Sequence, residues 1–269
     1  MPIRTIVVHS LGEFLDGVTP AKPDEQTGRR RDTGVYRGSA NASRPLLTSL
    51  DRLGGSNPPH TKADLEEHIL RNFIRYSRPH FDEARPHDDW ELLIAAQHHG
   101  VPTRLLDWSY SPLVAAFFAT RPVSGDDGDR AVWRLDWQAV HRKFKLTQLA
   151  LLIQDLETVW GEQGKPEKGT PWRLFANRNG APFACMLEPP SLDARIVAQG
   201  ATFTLCSTTR MSFDAFLEEQ GLGGALTKYV IPMDEVGRVR DQLDLVGIDE
   251  RRLFPDLDGV AAAIQRYYG

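Results

Sequence analysis

The run Gln97-His98-His99-Gly100-Val101-Pro102-Thr103-Arg104-Leu105-Leu106-Asp107-Trp108 concentrates hydrogen-bonding side chains between two apolar stretches. Burying it without partners would cost about 1–3 kcal/mol for each unsatisfied polar group, and more for an unpaired Arg or Asp. Two arrangements avoid that cost. In one, the segment is a self-satisfied loop in which Arg104 pairs with Asp107 and the histidines cap a helix C-terminus. In the other, Gln97, Thr103, Arg104, Asp107 and Trp108 face a ligand. His98 and His99 are adjacent, so on a helix they point about 100° apart and cannot both hold one metal ion. No third ligand stands at a familiar spacing, so no metal site is expected. Either histidine could act as an acid, a base or a hydrogen-bond donor, with His98 the first candidate.

A second cluster lies about sixty residues earlier. Arg37 follows a strand-like stretch and precedes Gly38, whose missing side chain allows close approach by a ligand or another strand. The planar fork of Arg37 suits a carboxylate or phosphate, and an internal ion pair with Asp107 is the competing use. A third position, Ser111, precedes Pro112 and the apolar run Leu113 to Ala119. Its hydroxyl can cap the helix, whose N-terminus also favours anions. Phe117 and Phe118 read as core.

The elements that must hold these residues follow from periodicity. Strands are predicted over Ile3–Val8, Val35–Gly38 and Arg130–Trp137, and short strands over Phe183–Leu187, Ala194–Ala198, Thr202–Cys206 and Lys228–Ile231. Helices are predicted over Thr61–Tyr76, His87–His99, Pro112–Thr120, Val140–Trp160, Met233–Val246 and Asp258–Tyr268, with a further one opened by Ser10 and closed into a capping box by Glu13. Residues 18–34, 100–111 and 161–171 read as loops. The mixed order points to an α+β fold of small mixed sheets with packed helices.

With 269 residues, 41% hydrophobic and 25% charged, the chain can bury a sizeable core and is far from disordered composition. A net charge of −4 supplies no overall basic field for nucleic acid or an anionic membrane. Two cysteines make no disulfide framework, and no apolar run reaches the ~18 residues of a membrane span. A reducing, cytoplasmic setting without a membrane partner is expected.

Together these residues resemble the FRG domain family, named for a Phe-Arg-Gly-type motif that stands here as Tyr36-Arg37-Gly38. The likeness takes in Ser39-Ala40-Asn41, Leu46 to Arg52, Gln97 to Trp108, Ser111 to Ala119, Val132-Trp133, Arg195 to Phe203 and Leu253 to Gly259. It implies one FRG-type domain over 1–269, with a motif core at 30–140 that residues 141–269 complete. A second resemblance is to ADP-ribosyltransferases, whose split NAD pocket uses a strand Arg or His, a Ser or Thr before an apolar helix, and a late Glu or Gln. It implies a split sheet in which Arg37, Ser111 and Gln199 take those places. The usual Glu-x-Glu pattern is absent, Asp193-Ala194-Arg195 standing near its position.

The leading expectation is therefore an NAD-dependent ADP-ribosyltransferase-like toxin or phage-defence effector. Arg37, His98, Ser111 and Gln199 would be catalytic. Tyr36, Gly38, Gln97, His99, Thr103, Arg104, Asp107 and Trp108 would bind the nucleotide or NAD-type ligand, and the acceptor would be a protein or nucleic acid. One alternative is a recognition domain that holds a nucleotide, phosphate or peptide without turnover. The other is a nuclease using His98 or His99 as acid and base.

Overall fold

In the computed structural model, the structure describes residues 1–25, 27–54, 60–80, 89–122, 125, 128–147, 149–153, 155, 182–190 and 194–268. Seven strands make one mixed sheet in the order β1-β7-β4-β2-β3-β6-β5. They are β1 (Arg4–Val7), β2 (Val35–Ser39), β3 (Leu105–Ser109), β4 (Arg130–Leu135), β5 (Ala184–Leu187), β6 (Ala201–Cys206) and β7 (Leu226–Ile231). Only β1 and β7 run parallel; every other neighbouring pair is antiparallel. The small sheets expected from sequence are thus one sheet, and the late strands β5, β6 and β7 pair into it beside the early ones. The α+β class stands.

Alternation along the strands sends successive residues to opposite faces. Val35, Leu106, Trp108, Trp133 and Leu135 join one core with α6 (Trp137–Lys143) and α8 (Phe213–Glu219). Tyr36, Val132 and Tyr229 pack on the other face with α1 (Leu11–Val18), α5 (Pro112–Thr120), α9 (Val236–Leu245) and α10 (Glu250–Leu253). Further along the sheet, Leu105, Cys185, Phe203 and Leu205 pack with residues of α3 (Lys62–Ser77) and α4 (Asp89–His98). The remaining helices are α2 (Ser49–Arg52), α7 (Ala194–Gln199) and α11 (Leu257–Tyr268). Among the described residues, no helix is long and apolar enough to cross a membrane.

Three elements differ from the sequence reading. Residues 105–109, read as loop, form β3, which pairs with β6 over five residues. Its polar Asp107 interrupts an otherwise buried strand and hides the apolar pattern. The expected strand Ala194–Ala198 is helix α7. It ends as a helix does, at Gly200 with φ 53°, whose N–H donates to the Val197 carbonyl. The expected helix Val140–Trp160 starts earlier, capped by Asp136, and stops at Lys143, followed by Lys145 at φ 58°. The rest of that stretch is only partly described, and the 161–171 loop, the His87 helix start and Asp193 lie outside the described residues. At α1, Ser10 caps the Glu13 N–H as expected, but the Glu13 carboxylate accepts from the His9 N–H and not from that of Ser10.

Candidate active site in the opening between two strands

The sheet is continuous by register everywhere except at its centre. β2 matches β4 through five residue pairs and β3 matches β6 through five, whereas β2 and β3 share the single pair Tyr36 and Ser109. Beyond that pair the two strands part. An Arg37 side chain crosses the gap: its Nη1 donates to the Asp107 carbonyl at 2.6 Å and lies 3.5 Å from the Asp107 carboxylate. A backbone acceptor that a regular ladder would have used is thereby satisfied by a guanidinium.

The Tyr36-Arg37-Gly38 run divides its work between the two faces. The Tyr36 hydroxyl donates to Asp32, which also takes the fork of Arg134 on β4. Burial alone would raise the Asp32 carboxyl, but these hydrogen bonds outweigh it and hold Asp32 below the usual carboxylate range. Gly38 allows the close approach expected of it, though what approaches is neither a ligand nor a strand but the backbone of α5. A Cβ at position 38 would stand 2.2 Å from the Ala115 carbonyl oxygen and 2.4 Å from the Ala119 nitrogen. Gly38→Ala must push α5 off the sheet, and a loss of about 3 kcal/mol is expected in a urea titration.

On the other lip, α4 delivers Gln97 and His98, and His99 follows its last residue. Gln97 Nε2 donates to Asp107 Oδ1 at 2.9 Å, while its Oε1 accepts from Thr103 Oγ1 at 2.6 Å. Thr103 is fully buried and is tied to α2: its carbonyl accepts from the Leu50 N–H, and its own N–H donates to Ser49 Oγ. The His98 and His99 rings meet edge to face at 5.2 Å. Trp108 is buried, with Nε1 donating to Thr204 Oγ1. Ser109 Oγ donates to the Gln199 carbonyl at 2.6 Å, and the Gln199 side-chain amide donates to the Leu253 carbonyl.

These groups border one cleft of about 860 Å³. It is lined by Tyr36, Arg37, Gly38, Gln97, His98, His99, Asp107, Trp108 and Gln199 from the sequence candidates, and also by Ser49, Arg52, Ser109, Phe118, Arg195 and Phe203. Three sequence candidates stand apart from it. Thr103 lies behind Gln97. The partner of Arg104 is not Asp107 but the buried Glu66 on α3, which takes its Nε at 2.6 Å and its backbone N–H at 2.7 Å. Ser111 caps α5 through the Val114 N–H at 3.4 Å. Ser109, two residues earlier, does line the cleft, with its hydroxyl donating to the Gln199 carbonyl and accepting from the Ser111 N–H.

Electrostatically the lining of the cleft is basic. Arg37, Arg52 and Arg195 line it, and Asp107 is the one carboxylate among the described lining residues. Burial holds the Arg37 guanidinium below its usual range; Asp107 opposes that shift and neighbouring Arg52 adds to it. An incoming anion would relieve both the burial cost and the repulsion between the two arginines. Arg195 stacks at 4.8 Å on Phe254, which fixes its stem at the rim.

Residues 32–128 match the family model of the FRG domain. The chain carries an FRG domain. The matched segment starts at Asp32, the anchor of Tyr36, and takes in both lips of the opening, from β2 through α5. Arg195, Gln199 and Phe203 lie after it, so the wall opposite the FRG motif is supplied by the C-terminal part of the chain. No curated protein and no solved structure matches the chain.

Proposed function

We propose that the cleft binds an NAD-type dinucleotide and that the protein transfers its ADP-ribosyl group, with loss of nicotinamide, to a protein or nucleic-acid acceptor. The observation that carries this reading is that Arg37 on β2, Ser109 on the neighbouring β3 and Gln199, the last residue of α7 just before β6, line one cleft at the place where the sheet parts. Those three match, in type and order, the strand Arg, the Ser and the late Gln of the ADP-ribosyltransferase resemblance, with Ser109 in place of Ser111.

The residues suit the ligand. A volume of about 860 Å³ falls in the range of small-molecule sites, roughly 300–1,000 Å³. Arg37 and Arg52 offer forks for a pyrophosphate, and Trp108, Phe118 and Phe203 offer apolar walls for flat rings. Covalent modification of an essential acceptor by such a transfer is the form a toxin or defence role would take.

Two other uses of the same cleft are recognition without turnover and strand cleavage by His98 or His99, both of which line it. One experiment separates the three. The pure protein is given NAD, and separately short RNA, while binding, nicotinamide release and strand cleavage are followed. Nicotinamide release is expected. Binding of NAD without release would favour recognition, and cleavage of RNA without NAD would overturn the transferase reading.

A further inference from the structure

An exposed aspartate normally samples several rotamers, because water competes for its oxygens. Asp107 is 58% exposed at its side chain, yet its carboxylate is held from two sides. Gln97 donates to Oδ1 and Arg37 approaches Oδ2. Gln97 is in turn fixed by Thr103, and fully buried Thr103 is fixed by Ser49 and Leu50 on α2. A chain of hydrogen bonds from the interior therefore orients one surface carboxylate toward the cleft. Supporting layers of this kind are how a reacting group is kept in position.

We infer that Asp107 is the carboxylate that faces the ribosyl carbon as nicotinamide leaves, an assignment that rests on the NAD reading of the cleft. The Glu-x-Glu pattern is absent from the sequence, and Asp107 is the one carboxylate among the described lining residues. In the chemical step the bond between the ribose carbon and the nicotinamide nitrogen breaks. Both electrons go to nitrogen, which converts the pyridinium to neutral nicotinamide. Positive charge develops on the ribose, and a fixed carboxylate beside it lowers the barrier, as in glycoside hydrolysis. A lone pair of the acceptor, or of water when no acceptor is present, forms the new bond, and the acceptor's proton passes to solvent.

The Arg37 contact gives the site a sequence of events. Arg37 is shared between the Asp107 carbonyl and carboxylate. A phosphate arriving at Arg37 competes with the longer of these contacts, the 3.5 Å one, and leaves the carboxylate held by Gln97 and open to the ribose. Ligand binding thus readies the charge that the reaction needs.

The test compares the full-length protein with Asp107→Asn, an isosteric change that keeps an acceptor for Gln97 and the main-chain bond to Arg37. Nicotinamide release from NAD, with water as acceptor, is expected to fall at least about a hundredfold. The Kd for NAD should move by less than about threefold and the melting temperature should be unchanged. If Asp107 were only a strut across the gap, melting temperature and NAD affinity would fall together with turnover of the bound complex intact, and the assignment would be wrong. Undiminished release in Asp107→Asn, with loss in Glu188→Gln, would also overturn it and move the role to Glu188, which hydrogen-bonds Tyr110 outside the cleft. A wild-type protein that neither binds nor consumes NAD would sink the reading of the cleft, and the assignment with it. Release by wild type that Asp107→Asn retains would sink the assignment alone.

Discussion

Glu66→Ala is expected to lower the free energy of unfolding by about 3–5 kcal/mol, the usual result of stripping one partner from a buried ion pair. Glu66 is fully buried on α3, and its carboxylate takes the Nε, Nη2 and backbone N–H of Arg104 at the start of β3. Arg104 also donates to the Ser207 carbonyl beyond β6, so the pair joins α3 to two strands that build the cleft. Alanine would leave a guanidinium that is 2% exposed without its counter-charge. Urea or guanidinium titration reads the effect directly. A second variant, Glu66→Gln, keeps the volume and one acceptor and should lose less. A loss under about 1 kcal/mol for Glu66→Ala would mean that the pair is dispensable, as surface pairs are.

Arg37→Lys should behave in the opposite way, losing ligand affinity while leaving the fold in place. Lysine keeps the charge and can reach one acceptor, but it cannot span an acceptor on β3 and a phosphate with one rigid fork. Losing a charge-assisted hydrogen bond is worth about 1.5–3 kcal/mol, or roughly 10–100-fold in Kd for NAD. The change in stability should stay below about 1.5 kcal/mol, the scale of one ordinary hydrogen bond. Calorimetric binding beside thermal melts separates the two effects. Unaltered affinity would remove Arg37 from the site and leave it as a tie across the gap.

Much of the residue set around this cleft is legible in the sequence, for a physical reason. Gly38 and Ser111 carry local signals, and the Gln97–Trp108 run announces itself by density of polar groups that packing alone would not tolerate. Gln97, His98, Thr103, Arg104 and Asp107 were expected near Arg37; the structure brings Arg37, Gln97 and Asp107 into one hydrogen-bonded set and His98 onto the same cleft, while Thr103 and Arg104 stand apart from it. What could not be read locally is whatever depends on remote partners. Glu66 stands 38 residues from Arg104, with nothing in sequence to prefer it over Asp107. Arg52 and Arg195 sit on short helices far apart in the chain, and only the pairing of β3 with β6 draws their surroundings together. The strand β3 itself was masked by Asp107, because a polar residue at a parted sheet looks like loop chemistry. Reading Ala194–Ala198 as a strand failed for a related reason: Ile196 is the one buried residue of that helix, too few to reveal a period.

The proposed function requires the ligand to sit where β2 parts from β3. A crystal structure of the protein soaked with NAD tests it most directly. Density for the dinucleotide is expected between Arg37 and Asp107, with a phosphate oxygen within hydrogen-bond reach, about 2.7–3.2 Å, of the Arg37 guanidinium. Saturating NAD with an unchanged, empty opening, or density bound elsewhere on the molecule, would contradict it.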